Sequence, residues 1–255
     1  MEAVKEPIID CDNMEYCEED GTCLFSELSF RLERGQRGVL LADPHRCATI
    51  LLKICATLVA PTGGQISWFG KSSDQMDGPG LYKLRRRIGF VHRETSLISN
   101  MTILDNISLG LQYHEEMVRE QSYDRVTELL KQFELYEYRF LRPAELTFEQ
   151  RRLAVYAREL VKKPQFYLLE HPSLDLGERV YSLLLDVFKT CSIEDGCAFL
   201  VASIVPEVIH RWGDWVLVFD KGQCHHFEVG KFDPSIYRES MKRRGALLSR
   251  EWRGE

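Results

Sequence analysis

The sequence predicts an α/β fold: a mostly parallel core sheet, an N-terminal antiparallel β part and a helical insertion. Three observations predict it. Apolar runs of strand length recur at Val39–Ala42, Gln165–Leu169 and Ala198–Ser203, the pattern of strands covered on both faces. Helix-periodic stretches separate them, the alternation that builds parallel sheets. From residue 95 to about 160 the apolar residues fall three and four apart, as in Ile103, Ile107, Leu111 and then Val126, Leu129, Leu130, Phe133, so this part reads as helix.

Taken in order, the first forty residues read as strands. Leu28-Ser-Phe-Arg-Leu alternates apolar and polar residues, Glu33-Arg-Gly-Gln-Arg-Gly38 is turn chemistry, and Val39-Leu-Leu-Ala42 is a buried strand. A helix is expected from about Ala48 to Leu58, stopped by Pro61-Thr-Gly-Gly64, after which Gln65-Ile-Ser-Trp-Phe-Gly70 resumes as strand and turn. Beyond the helical part, Gln165–Leu169 is a strand and Gly177–Lys189 a helix. Ala198–Ser203 is another strand, Pro206 opens a short helix, and Trp215–Phe219 with Asp220-Lys-Gly-Gln makes a terminal hairpin.

Composition narrows the function. Thirty-three Lys and Arg against 39 Asp and Glu give a net charge of −6, which argues against a nucleic-acid partner. The longest apolar run, Ala198 to Val205, is far short of a membrane span, and Met1-Glu-Ala-Val-Lys-Glu offers no apolar core for a signal peptide. Eight cysteines with no C-x-x-C pair suit a reduced, cytosolic chain better than a disulfide scaffold. Cys11, Cys17 and Cys23 repeat every six residues, a spacing wider than ordinary metal-ligand pairs, and no metal site is expected from them or from Cys224-His225-His226.

From Ala42 the residues become specific. ADPHRCATILLKICATLVAPTGGQI, residues 42–66, resembles without a gap the phosphate-loop region of ATP-binding cassette (ABC) ATPases, G-x-x-G-x-G-K-[ST]-T-L-L followed by a helix and P-x-x-G-x-I. Ala42, His45 and Cys47 stand at its three glycines, Ala48 at its lysine and Thr49 at its magnesium-binding hydroxyl. Arg87-Ile-Gly-Phe-Val-His-Arg93 resembles the stretch ending in the Q-loop glutamine, with Arg93 in that place. Leu146 to Leu160 resembles the L-S-G-G-Q signature and its helix, with Thr147, Phe148 and Glu149 for Ser-Gly-Gly and Gln150 retained. Phe166-Tyr-Leu-Leu-Glu-His-Pro172 resembles the Walker B strand, Glu170 replacing the aspartate and His171 the catalytic glutamate. Ser203 takes the place of the switch histidine. The resemblance covers residues 8 to about 229 and implies a P-loop NTPase-like cassette over 1–230, with a helical subdomain at about 95–160 and a basic, helical tail over 231–255.

The substitutions bear on chemistry. A phosphate loop works because successive main-chain N–H groups and a helix N-terminus converge on the anion. Side chains at the glycine positions, with Pro44 beside them, obstruct that cradle. Losing the lysine removes a charge-assisted bond worth roughly 1.5–3 kcal/mol; Arg46 is the nearest replacement charge. Tyr16 falls where the family stacks an aromatic on adenine, and it serves equally well as a hydrophobic cover. No cofactor is assigned: weak binding of ATP and magnesium through Tyr16 and Thr49 stays open. Glu149 and Phe148 would meet a triphosphate presented by a partner cassette with repulsion and bulk.

What the resemblance then implies is a non-hydrolysing cassette subunit of a membrane transporter. It would pair with itself or a related cassette on the inner face of the membrane and dock on a permease through Leu97, Ile98, Met101, Ile103 and Leu104. Leu81-Tyr-Lys-Leu-Arg-Arg-Arg87 and Ser203-Ile-Val-Pro-Glu-Val-Ile209 look most similar to Mla-type lipid-transport ATPases. Two alternatives remain: an active but divergent ATPase using Thr49, Glu170 and His171, and a soluble scaffold with the same fold.

Overall fold

The computed structural model describes residues 7–42, 46–94, 97–114, 118–220, 223–233 and 237. Strands β1 (Ile9–Cys17) and β2 (Cys23–Leu32) form an antiparallel hairpin, followed by β3 (Arg37–Ala42) and helix α1 (Arg46–Cys55). β4 (Gly63–Trp68) and the two-residue β5 (Lys71–Ser72) complete a four-stranded antiparallel sheet in the order β2-β1-β4-β5. α2 (Gly78–Arg86) leads into β6 (Ile88–Val91), and three helices follow: α3 (Ile103–His114), α4 (Arg119–Gln132) and α5 (Phe148–Leu160). The chain then runs through β7 (Phe166–Glu170), α6 (Glu178–Glu194), β8 (Ala198–Ser203), α7 (Glu207–Trp212), β9 (Trp215–Asp220) and β10 (Gln223–Glu228).

The second sheet has the order β10-β9-β3-β8-β7-β6, parallel throughout except for the β9–β10 hairpin. Its strands are apolar on both faces because each face has its own core. Val39 and Leu41 of β3, Tyr167 and Leu169 of β7, and Phe199 and Val201 of β8 join one cluster with the helices α3 to α7. Their neighbours Leu40, Phe166, Leu168 and Leu200 join the other, with α1 and the antiparallel sheet. The two-residue period of a strand thus splits each run between two layers.

Several boundaries differ from the sequence reading, for local reasons. α1 stops at Cys55, not Leu58, because Thr57 takes φ +60° and Leu58 N–H closes back on Lys53 O at 2.9 Å. α2 was missed, although it carries a start signal: Asp77 accepts from Gly80 N–H at 2.7 Å, with proline in the first turn. α6 runs to Glu194, five residues further than expected. Gly64 adopts φ +75° and packs so closely on β1 that a Cβ there would lie 2.2 Å from Asn13 O.

The expectation of an all-thiol chain is corrected: Cys17 and Cys23 are joined by a disulfide. The β1–β2 pairing sets them directly opposite one another, with Cα atoms 3.9 Å apart, an adjacency that a search for C-x-x-C does not detect. Cys11 faces inward, where burial and the thiol of Cys55 raise its pKa, whereas Cys17 and Cys23 lie together with Glu15, their ligand atoms within 4.8 Å of one another. Of the basic tail, only Lys231–Asp233 and Tyr237 are described, so its helical reading lies outside the described residues. Among the described residues no helix is long and apolar enough to cross a membrane.

Candidate functional site

The site forms at the C-terminal ends of the parallel strands, where β7 delivers Glu170, α1 brings Thr49 and the segment after β6 brings His92 and Arg93. Glu170 is 2 % exposed and both its oxygens are engaged. Thr49 Oγ1 donates to Oε1 at 2.5 Å, while Arg93 N–H donates to Oε2 at 2.9 Å and His92 Nε2 lies 3.2 Å from the same oxygen. Burial alone raises the carboxyl pKa. The Thr49 hydroxyl, the Arg93 N–H and the imidazoles of His92 and His171 outweigh it and hold Glu170 below the ordinary carboxylate value. Arg93 therefore acts here through its main chain, and its side chain is exposed.

Arg152 braces this arrangement. It lies on α5, is 1 % exposed, and donates through Nη1 to His92 O (3.1 Å) and Arg93 O (2.7 Å) and through Nη2 to the Tyr156 hydroxyl (3.2 Å). Its Nε is buried with no hydrogen-bond partner among the described residues. Neither Arg152 nor His92 was singled out from the sequence; the one available signal was an arginine interrupting the apolar stripe of α5. Thr49, His92, Arg93, Phe148, Arg152 and Glu170 line a cleft of about 660 Å³, together with Glu94, Leu174 and Asp175.

The other expected positions are placed as follows. His171 is 4 % exposed, and its backbone adopts φ +48°, an uncommon conformation for a residue with a Cβ, fixed by its N–H to Ala202 O at 2.9 Å. Ser203 is buried, and its hydroxyl folds onto its own chain, accepting from Val205 N–H at 2.9 Å. Thr147 caps α5 by accepting from Gln150 N–H while Gln150 accepts from Thr147 N–H, a reciprocal capping box. Glu149 accepts from Gly177 N–H at 2.7 Å, at the start of α6, and Phe148 is 41 % exposed.

Ala42 and Ala48 are buried, Cys47 donates to Leu24 O at 3.4 Å, and His45 and Pro44 lie outside the described residues. Arg46, the replacement charge considered above, pairs with Glu18 of the β1–β2 turn at 2.5 Å. Tyr16 packs on Phe25 with ring centroids 6.3 Å apart.

Of the docking set, Ile103 and Leu104 belong to the core and are corrected as surface residues: the helix period turns both inward. Leu97 packs partly on that core, Met101 is half-buried and Ile98 is exposed, its loop pinned by Asn106. Strand alternation sets His225 on the face of β10 opposite Cys224 and His226, so the three do not converge as ligands.

Among the described residues, the positions expected to meet magnesium and phosphate already have partners within the chain. Thr49 and Glu170, the two oxygen ligands, are bonded to each other. Ala48 brings no charge, Arg46 is held by Glu18, and the α5 N-terminus is filled by its own side chains with a carboxylate beside it.

A family model described as ABC transporter matches residues 25–173. The methionine import ATP-binding protein MetN 1 of Pseudomonas savastanoi pv. phaseolicola is 28% identical over 194 residues, covering 76% of this chain and 58% of that protein. The chain thus spans less than two thirds of the curated relatives it matches. CbiO1 from Clostridium perfringens, part of the ABC transporter complex CbiONQ, superposes with a TM-score of 0.78 at 20% identity, covering 96% of both chains. An ATP-binding cassette solved as a dimer in a post-hydrolysis state with ADP and Pi superposes at 0.78 with 24% identity, over 88% of this chain and 100% of that one.

Proposed function

Because the chain belongs to the ABC transporter family, we propose that it is a degenerate cassette subunit, retained for docking and assembly rather than for ATP hydrolysis. One observation carries the reading: the family's two magnesium-binding positions, Thr49 and Glu170, satisfy each other, and Arg93 N–H and His92 take the remaining oxygen of Glu170. Supporting it, His171 is a buried imidazole where the family places its catalytic carboxylate, and Ser203 is turned away into a local bond. Hydrolysis requires an oriented water, a metal and stabilisation of charge on the transferring phosphoryl group; this chain's residues favour none of the three.

In this reading the cassette domain, 1–230, pairs with itself or a related cassette and rests on a permease at the inner face of the membrane. The exposed Ile98, with Leu109 and Tyr113 on α3, offers the apolar contacts. The likeness of Leu81–Arg87 and Ser203–Ile209 to Mla-type ATPases favours a lipid-handling permease. Phosphate release by the purified chain with ATP and magnesium tests the central claim. The expected result is no turnover above buffer, unchanged in Thr49→Ala and His171→Ala. Turnover that disappears in either variant reinstates the divergent ATPase, and co-purification with partners that include no membrane protein favours a soluble scaffold.

A further inference from the structure

The opposite ends of the parallel strands hold a second concavity with no part in that reading. Arg87 leads into β6 and Gln165 into β7, so this region lies at the strands' N-terminal ends, away from Thr49, Arg93 and Glu170. A cleft of about 540 Å³ opens there, lined by Tyr82, Lys83, Arg85, Arg86, Arg87 and Lys162, and among the described residues no carboxylate lines it.

Local sequence sets the charge: the last turn of α2 carries Lys83, Arg85 and Arg86, and its first turn holds no acid. Two of the guanidinium groups are positioned by neutral acceptors. Arg85 donates to Thr57 Oγ1 and Thr57 O at 2.9 and 3.0 Å. Arg87 donates through Nε and Nη2 to Gln165 Oε1 at 2.9 and 2.7 Å while lying 3.3 Å above the Phe69 ring. Such bonds fix the fork and leave its charge uncancelled. Lys83 and Arg86 are exposed and make no ion pair among the described residues. Lys162 is the exception, since it shares Glu159 with Arg158.

Four uncancelled cations around one hollow repel one another, and on a chain of net charge −6 they form a local inversion of sign. Burial and the nearby Arg34 both disfavour charge on Arg87, a strain that a bound anion relieves. Fixed guanidinium forks beside flexible cations suit tetrahedral oxyanions carrying several charges, and the volume is that of a small-molecule site.

We propose that this cleft binds a multivalent phosphorylated anion, separately from the nucleotide end of the sheet. The source is either a free polyphosphate or the headgroup of an anionic phospholipid, which offer the same chemistry. The purified full chain is titrated with inorganic tripolyphosphate by calorimetry at low salt, and sedimented with phosphatidylglycerol and with phosphatidylcholine vesicles. Wild type is expected to bind tripolyphosphate, more weakly as salt rises. Lys83→Glu/Arg86→Glu should lose at least about tenfold in affinity, and Thr49→Ala should bind as wild type does. The milder Lys83→Gln/Arg86→Gln, with both side chains at the surface, should lose affinity while keeping the wild-type circular dichroism spectrum. Retention on phosphatidylglycerol alone, displaced by tripolyphosphate, identifies the lipid source; calorimetric binding without retention identifies the free one. Equal affinity in wild type and both charge variants overturns the proposal, as does loss of binding in Thr49→Ala. Failure of wild type to bind either tripolyphosphate or phosphatidylglycerol overturns it too. None of these outcomes depends on whether ATP is hydrolysed.

Discussion

At the C-terminal ends of the parallel strands, Glu170 takes hydrogen bonds on both oxygens, Glu149 is anchored to Gly177 and Arg152 is spent on two main-chain carbonyls. At the N-terminal ends Arg85 and Arg87 rest on neutral partners, and Lys83 and Arg86 make no ion pair among the described residues. The same six-stranded sheet therefore has one end where polar groups are consumed by the fold and another where charge is left for solvent or a ligand. Consumed polar groups stabilise the folded chain, whereas clustered like charges weaken it.

The comparison breaks first at Arg152. Replacing it with alanine strands His92 O and Arg93 O and opens a void in α5, so urea unfolding should show a loss of about 3–5 kcal/mol. A loss below about 1 kcal/mol would mean that the carbonyls find water and the brace is ornamental.

Glu170→Gln is the next test, expected to cost about 1–3 kcal/mol at neutral pH through the lost charge-assisted bonds. It also has a sign in pH. The folded carboxyl titrates below its ordinary 4.5, so its stabilisation is present above that pH and drains away as the pH falls through and below it. Unfolding of wild type followed from pH 7 downward should show this decline, and the Gln variant should be flatter over the same interval. A parallel pair of curves would place the depressed carboxylate elsewhere.

Thr147→Ala removes the cap of α5 and should lower stability by about 1 kcal/mol, read from the same denaturant curves. Unaltered stability would mean that Gln150 alone closes the helix end. The smallest effect should have the opposite sign: Lys83→Gln relieves repulsion and should raise Tm slightly at low salt, with the gain vanishing near 0.5 M salt, a concentration of order that collapses the Debye length to a few ångströms. A fall in Tm would show that Lys83 has a partner at that end after all.

Most of the architecture could be read from strand-length apolar runs, because a strand buried on both sides leaves no room for a polar alternate, as Leu168 and Leu169 illustrate by facing different cores. The resemblance to the cassette motifs likewise assigned Thr49 and Glu170 to one site, and the two are hydrogen-bonded. What escaped were contacts between residues distant in sequence. His92 reaches Glu170 across 78 positions, and Arg152 grips a segment 59 and 60 positions away; neither has a local pattern. Cys17 and Cys23 escaped for a different reason: a hairpin, not a motif, makes them neighbours. Ile103 and Leu104 misled because an apolar residue on a surface helix and one beneath it look alike until the packing face is known.

Gly64 separates two kinds of glycine. Its surroundings forbid a side chain because the backbone of β1 already fills the space, whatever ligand the protein does or does not hold. Ala42 and Cys47, by contrast, sit comfortably with their side chains tucked into the interior or bonded to Leu24. The glycine of Pro61-Thr-Gly-Gly64 thus answers a mason's constraint rather than a chemist's.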